Sequence, residues 1–418
     1  MSAAASPAPG APAAPATRPR LALATTLGVQ AMATLSLTAP SVMAPAVAPL
    51  LGVPPQRIGW FVGLAYLAAM FSGLAAGARV ARVGAIRMSR LALVACAVGL
   101  ACGAAGGTSE ALMPLIALAA IAIGCGYGLP NPAASMVLAV HAPPTRRGLF
   151  FSIKQSGVPI GVGLAGLVVP PLLAAMAWTW ALAVLSAACL ILAVALQPAT
   201  VLEARAPSGG PPPAGLGATL RALVAPLKRV WREPTLRRLG VASLAFSMTQ
   251  LCFTTFLVSY LKLELGRSLA AAAGVLAISQ VLSVACRVLW GQVADRWVSP
   301  LRLLAALGLA MAGAVVLLGV LPPDAPPWIA MAAALACAAT SMAWNGVYFA
   351  ELAHRVPAAE LGTVTGGTQF LTFFGGMIGP VAFASLVGVT GSHGATYVGI
   401  AIAPALVGAW LWIASREP

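Results

Sequence analysis

Charge is scarce in this 418-residue chain: Asp, Glu, Lys and Arg make up 8% of it, against about a quarter in soluble domains. With a hydrophobic fraction of 60%, this excludes an ordinary soluble protein and puts most of the chain in lipid. Metal and disulfide chemistry lack their patterns. The seven cysteines (Cys96, Cys102, Cys125, Cys189, Cys252, Cys286, Cys337) all lie in apolar runs, with no CxxC or Cys/His spacing, and read as helix filler. No GxSxG, HExxH or P-loop occurs, and His141, His354 and His393 fall near predicted helix ends. Gly161-Val-Gly163-Leu-Ala-Gly166 fits GxGxxG, but inside an apolar helix and not between a strand and a helix, so it is no dinucleotide site. Neither a catalytic centre nor a cofactor or metal is expected. Residues 1–20 are rich in Ala and Pro without an apolar core, which excludes a secretory signal and reads as a disordered tail.

What is present is a series of apolar runs of about twenty residues, each long enough for one crossing. Twelve helices are expected at about 22–46, 56–78, 90–107, 111–140, 149–174, 178–196, 237–261, 270–290, 301–321, 328–351, 363–387 and 396–414. They divide the chain into a tail at 1–20, a first six-helix bundle at 21–197, a Pro/Gly-rich basic linker at 198–235 and a second bundle at 236–414. The net charge of +15 does not indicate nucleic acid, because the cations sit in short gaps between apolar runs. Nineteen of the 24 Lys and Arg fall on the side of the chain ends, three (Arg57, Lys262, Arg267) on the other, and Lys154 and Arg287 within helices. That bias places both termini in the cytoplasm of a multi-pass cell-membrane protein. In the linker, Leu216, Leu220, Leu223, Val224 and Leu227 recur at helical spacing among Arg221, Lys228 and Arg229, the pattern of a basic helix lying on the inner leaflet, with Pro226 interrupting it.

The chain repeats itself. At an offset of 214 residues Gly77 maps to Gly291, Arg82 to Arg296, Asn131 to Asn345, Gly148 to Gly362, Gln155 to Gln369 and Gly161 to Gly375. Ungapped matches across five helices make the halves parallel repeats, as in transporters whose site lies at the repeat interface. Between helices 2 and 3 the first copy reads Gly77-Ala-Arg79-Val-Ala81-Arg82-Val-Gly84-Ala-Ile-Arg87, and the second reads Gly291-Gln-Val-Ala-Asp295-Arg296. This resembles the G-x-L-x-D-R-x-G-R signature of the major facilitator superfamily, with Ala81 in place of the Asp that the second copy keeps. The family's fourth-helix arginine is absent, since the stretch before Gly124 reads LIALAAIAI. Its antiporters' glycine–proline motif is partial, at Gly157-Val-Pro159-Ile-Gly161 and Gly375-Gly-Met-Ile-Gly379-Pro380. The resemblance implies an all-α membrane protein, twelve transmembrane helices in two parallel-repeat six-helix bundles, and a monomeric transporter of small molecules working among membrane lipids.

It also implies a central cavity lined by helices 1, 2, 4, 5, 7, 8, 10 and 11. Every Asn, Gln, Lys or Arg well inside a helix falls in that group: Gln30, Asn131, Lys154, Gln155, Gln250, Gln280, Arg287, Asn345 and Gln369. Tyr66 stands at the repeat position of Gln280. Lipid cannot hydrate such groups, so the partition is what an aqueous cavity predicts. Of these, Lys154, Gln155, Gln369, Gln30, Asn131, Gln250, Gln280, Asn345 and Tyr66 are candidate substrate contacts; interhelical packing is the competing reading for Gln30, Gln250 and Asn345, and a structural lysine bonded to backbone carbonyls for Lys154. Arg287, one turn from Gly291, is expected to snorkel to the cytoplasmic interface. The nine carboxylates (Glu110, Glu203, Glu233, Glu264, Asp295, Asp324, Glu351, Glu360, Glu417) all fall in loops or at helix ends, so none is placed to relay protons or hold a cation at mid-membrane. A cavity with a lysine and no acid favours an organic anion. Efflux of drugs or other solutes by an antiporter is the second reading, and a transporter-like sensor the third. By resemblance the cytoplasmic gate comprises Gly77, Arg82, Gly291, Asp295 and Arg296, with Asp295 meeting the start of helix 5 beside Arg146 and Arg147, and with Arg79 and Arg82 pairing with Glu351 or Glu360.

Overall fold

The computed structural model describes residues 18–109, 111, 113–143, 146–203, 227–356 and 358–416. The tail to residue 17 and the amphipathic pattern at 216–224 lie outside them. Among the described residues, twelve helical spans are long and apolar enough to cross a membrane. Those of the first half are span 1, Pro19–Leu51, span 2, Pro55–Ala76, span 3, Ala85–Gly106, span 4, Pro114–His141, span 5, Leu149–Ala175, and span 6, Trp178–Ala195. The second half holds span 7, Pro234–Leu263, span 8, Leu269–Ala294, span 9, Pro300–Gly319, span 10, Pro327–Leu352, span 11, Gly367–Thr390, and span 12, His393–Ala414. All twelve fall where the apolar runs predict. Among the described residues there is no strand.

Local sequence explains the boundaries. Pro19, Pro114, Pro234, Pro300 and Pro327 open helices, where a missing N–H costs nothing. Ser268 and Ser392 cap spans 8 and 12 by accepting from the backbone of Ala271 and Ala395. Gly84, at φ +97°, turns the chain between spans 2 and 3, a conformation a side chain would strain.

Among the described residues four spans are broken: span 12 at Ala401, between His393–Ile400 and Ile402–Ala414, and three others, spans 4, 10 and 5. Span 4 divides at Leu129 into Pro114–Gly128 and Pro130–His141, and span 10 divides into Pro327–Ser341 and Trp344–Arg355. Leu129 and Ala343, at these two breaks, are repeat-related. Pro130 and Pro132 carry no N–H, which leaves the carbonyls of Gly126 and Gly128 without their helical donors. Span 5 divides at Ser156, between Arg147–Gln155 and Gly157–Ala175, where Pro159 likewise frees the carbonyl of Gln155.

Glycine sets how closely the spans approach. A Cβ on Gly161 would overlap the Ala31 carbonyl of span 1, and one on Gly375 the Leu244 carbonyl of span 7. Across the halves, Gly59 and Gly63 of span 2 lie against Pro380 and Val381 of span 11, and Gly166 of span 5 against Ala273 of span 8. These cross-half contacts lie toward the side opposite the chain ends. On the side of the chain ends, Pro130–His141 and Arg147–Gln155 pack within the first half and Trp344–Arg355 within the second. The halves are thus closed on the far side and parted on the side of the chain ends.

Candidate transport site

Lys154 stands in the last turn of the first segment of span 5 and is buried, 3% exposed. The break at Ser156 and the close passage of Gly157 beside Gln30 bring it against spans 1 and 4. Its ammonium donates to Gln30 Oε1 at 2.9 Å, to Asn131 Oδ1, and to its neighbour Gln155 Oε1 at 3.3 Å. Gln30 Nε2 in turn donates to Thr34 Oγ1 at 3.4 Å. Four of the nine expected contact residues thus form one cluster, all within the first half. Amide oxygens satisfy the three N–H groups of the lysine but do not cancel its charge.

The other candidates lie apart from this cage. Tyr66 packs against Tyr127 of span 4 and Phe373 of span 11, with ring centroids 5.6 and 6.0 Å away, so that aromatic rings from both halves meet at the centre. Gln250 accepts from Trp344 Nε1 at 3.0 Å. Gln280 is buried with its Nε2 on Ser279 Oγ and its Oε1 without a partner among the described residues. Asn345 and Gln369 are half-buried and make no side-chain hydrogen bond among the described residues, so neither joins Lys154. A small void of about 30 Å³ lies between the halves, lined by Thr34, Tyr66, Tyr127, Gln250, Thr254 and Met342 among others. A larger cavity of about 580 Å³ lies inside the first half toward the far side, lined by apolar groups apart from Arg57. Its lining comes from the first half alone and includes neither Lys154 nor the residues bonded to it, so the smaller polar void, lined by both halves, marks the candidate site.

Arg287 departs from expectation. Instead of reaching for the interface, its Nε donates to the Met342 carbonyl at the break of span 10, 3.0 Å away. The side chain is half-buried. The break supplies the reason: the 341–343 turn presents a carbonyl toward span 8, and a guanidinium donor takes it. Tyr127, four residues before Asn131 in the GYGLPNP stretch, carries no charge and so no signal that sequence reading could have used.

At the side of the chain ends, Gly77 and Gly291 lie near the ends of Ile58–Val83 and Leu269–Arg296, and Arg82, Arg146 and Arg296 are exposed. The side chains of Asp295, Arg147 and Glu360 lie outside those described. Glu351 does not pair with Arg79 or Arg82; it takes Arg355 Nε of its own helix at 2.9 Å. Glu203, which the sequence left as a loop acid, accepts from the backbone of Ile86 and Arg87 and so caps span 3. On the far side Glu264 accepts from the backbone of His393 and Gly394 and from Ser392 Oγ, and meets His393 Nδ1 at 2.7 Å. Partial burial would raise its carboxyl, but hydrogen bonds from His393 and Gly394 outweigh that and hold it down at about 2.

The architecture is similar to solved transporters. A bacterial homologue of the human lysosomal transporter Spinster, crystallised inward-facing and unoccupied, superposes with a TM-score of 0.74 at 14% identity, over 95% of this chain and 97% of that one. A mutant of the peptide transporter POT gives 0.72 at 17% identity over 94% of each chain, and its complex with sulfate 0.70 at 17% over 94% of each. Among curated proteins no sequence matches significantly. Residues 26–380 match the Major Facilitator Superfamily, and with twelve apolar spans in this fold the chain belongs to that superfamily of membrane transporters.

Proposed function

We propose that the protein carries a small organic anion across the cell membrane by alternating access, with both chain ends in the cytoplasm. The observation that carries this reading is Lys154, a buried cation whose three donors meet only neutral amides. A cation at bilayer depth costs at least about 2.5–3.5 kcal/mol, and no described carboxylate pairs with it. An arriving anion supplies the missing charge. It enters from the side where the halves part, which in this orientation is the cytoplasm, so the structure corresponds to an inward-facing state. The bundles at 21–197 and 236–414 then rock about the central site, with 198–235 as the tether, and the helix ends at Gly77–Arg82 and Gly291–Arg296 close the cytoplasmic side. Lacking a mid-membrane acid, transport runs by facilitated diffusion, by anion exchange, or with a proton carried on the substrate or on Lys154.

The test is uptake by proteoliposomes of radiolabelled organic anions and of hydrophobic cations, with and without pH and sodium gradients. Anion uptake that persists without sodium supports the reading. Uptake confined to cations would replace it with drug efflux, and uptake that requires sodium would overturn the coupling argument.

A further inference from the structure

The larger cavity, about 580 Å³, has the volume of a small-molecule site, although its lining belongs to the first half alone. Spans 1, 2, 3, 4 and 6 wall it at their far-side ends, with Met43, Phe61, Leu100, Ile123 and Trp178 among the lining groups. Packing explains the space. Spans 2 and 4 are locked together where a Cβ on Gly124 would overlap the Ala65 carbonyl and one on Gly128 the Ala69 carbonyl. Nearer the far side Gly59 and Gly63 of span 2 lie against span 11 instead. There Trp60 and Leu64 of span 2 line the cavity together with Met113, Ala117 and Ala120 of span 4. Trp60 and Ala117 are exposed, so the cavity opens to the surface between these two spans. At the matching ends of the second half, rings occupy the space. Tyr260 of span 7 donates to the Leu318 carbonyl of span 9 and packs on Tyr397 of span 12, with centroids 5.5 Å apart. The fold does not require the cavity.

Its chemistry and depth say what fills it. An apolar space of this kind gives water too few polar partners to hold it. Along span 4 the lining runs from Met113 to Ile123, about 15 Å at 1.5 Å per residue, the depth of one leaflet of a hydrocarbon core about 30 Å thick. Arg57 is the one charged residue in the described lining, and it stands in the turn that precedes span 2, at the level of the membrane surface. It is exposed and takes part in no ion pair among the described residues. We propose that the cavity binds one acyl chain of an anionic phospholipid, which enters between spans 2 and 4 with its phosphate at Arg57. The guanidinium offers several N–H donors to phosphate oxygens, and the apolar walls take the chain. The lipid belongs to the leaflet away from the chain ends. Its site is separate from the void between the halves and does not depend on which solute is carried.

Photolabelling tests this on the full chain reconstituted in phosphatidylcholine vesicles. The probes are phosphatidylglycerol and, separately, phosphatidylcholine, each with a diazirine midway along one acyl chain, and adducts are mapped by mass spectrometry. Adducts of the phosphatidylglycerol probe are expected on Phe61, Leu64, Ile116 and Ile123. They should exceed those of the phosphatidylcholine probe by about fivefold, the worth of one arginine near a membrane surface. Arg57→Gln should bring the two probes level. Gly103→Leu combined with Ala117→Phe puts side chains into the cavity from spans 3 and 4. A Cβ at position 103 meets only ordinary contacts, the nearest 3.4 Å away at Leu182. That variant should lose cavity adducts by about tenfold, the worth of two displaced methylenes, while adducts on the exposed Ile402 and Leu406 of span 12 stay constant and report an intact fold. Adducts spread evenly over the exposed faces of all spans, or unmoved when the cavity is filled, overturn the proposal. So do probes that label the cavity alike in the parent protein, a comparison that needs no variant.

Discussion

Spans 5 and 11 hold matching places in the two halves, and they share their packing but not their chemistry. Gly161 and Gly375 both let the backbone of a neighbouring span pass against them. At the position of Lys154, however, the second half has Thr368, whose hydroxyl bonds to the Thr365 carbonyl of its own helix. Span 5 is broken beside its lysine at Ser156, while Ala358–Thr390 runs without interruption. The second half has its own cation, but at Arg287, whose repeat position in the first half is the close-packed Gly73. Backbone contact has kept the repeat symmetric, because no side chain fits there. The charged groups have diverged, because a solute need not share the symmetry of its carrier.

The sharpest way to probe the shared part is to fill it. Gly161→Ala and Gly375→Ala should each destabilise the protein by about 3 kcal/mol, at the upper end of overpacking, with loss of the monodisperse peak in detergent. Gly163→Ala, whose Cβ finds its nearest neighbour at 3.5 Å, is the control and should change little. Equal tolerance of all three would break the claim of symmetric close packing.

The divergent part predicts the next largest difference. Lys154→Met should fold and lose anion uptake by about 10–100-fold, the scale of one charged hydrogen bond. Thr368→Val, at the repeat position, should lose less than about threefold. An unimpaired Lys154→Met would make the lysine structural. A smaller contrast is expected within the asparagine pair: Asn131→Ala removes a partner of Lys154 and should cost uptake about fivefold, against no more than about twofold for Asn345→Ala.

The smallest effect concerns acid. The carboxyl of Glu264 is depressed in the fold, so its contribution to stability is complete above its ordinary value of 4.5 and is lost as pH falls toward about 2. Its repeat position is Leu50, which is exposed, so this sensitivity belongs to the second half alone. The detergent melting temperature should drop by a few degrees between about pH 6 and pH 3 in the parent protein, and Glu264→Gln should flatten that dependence. A parent protein whose melting temperature is unchanged over that range would show that the Glu264 cap does not matter.

The sequence by itself determined the number and position of the spans, because length and hydropathy suffice to say what lipid accepts. It also determined the parallel repeat and the superfamily, since glycines at backbone contacts and the motifs that begin at Gly77 and Gly291 are local patterns at a fixed offset. It marked Lys154, because a cation in an apolar run stands out by cost alone. Only the tertiary structure decided what that lysine meets: Gln30, Asn131 and Gln155 come from three different stretches of chain, and their convergence depends on the breaks in spans 4 and 5 and on how closely span 1 passes Gly157. It decided Arg287 as well. One turn from a span's end, an arginine has enough reach to turn outward to headgroups or inward to a carbonyl, and spacing along the helix is the same in both cases. The carbonyl at Met342 exists only because span 10 breaks there, and that free acceptor settled the direction.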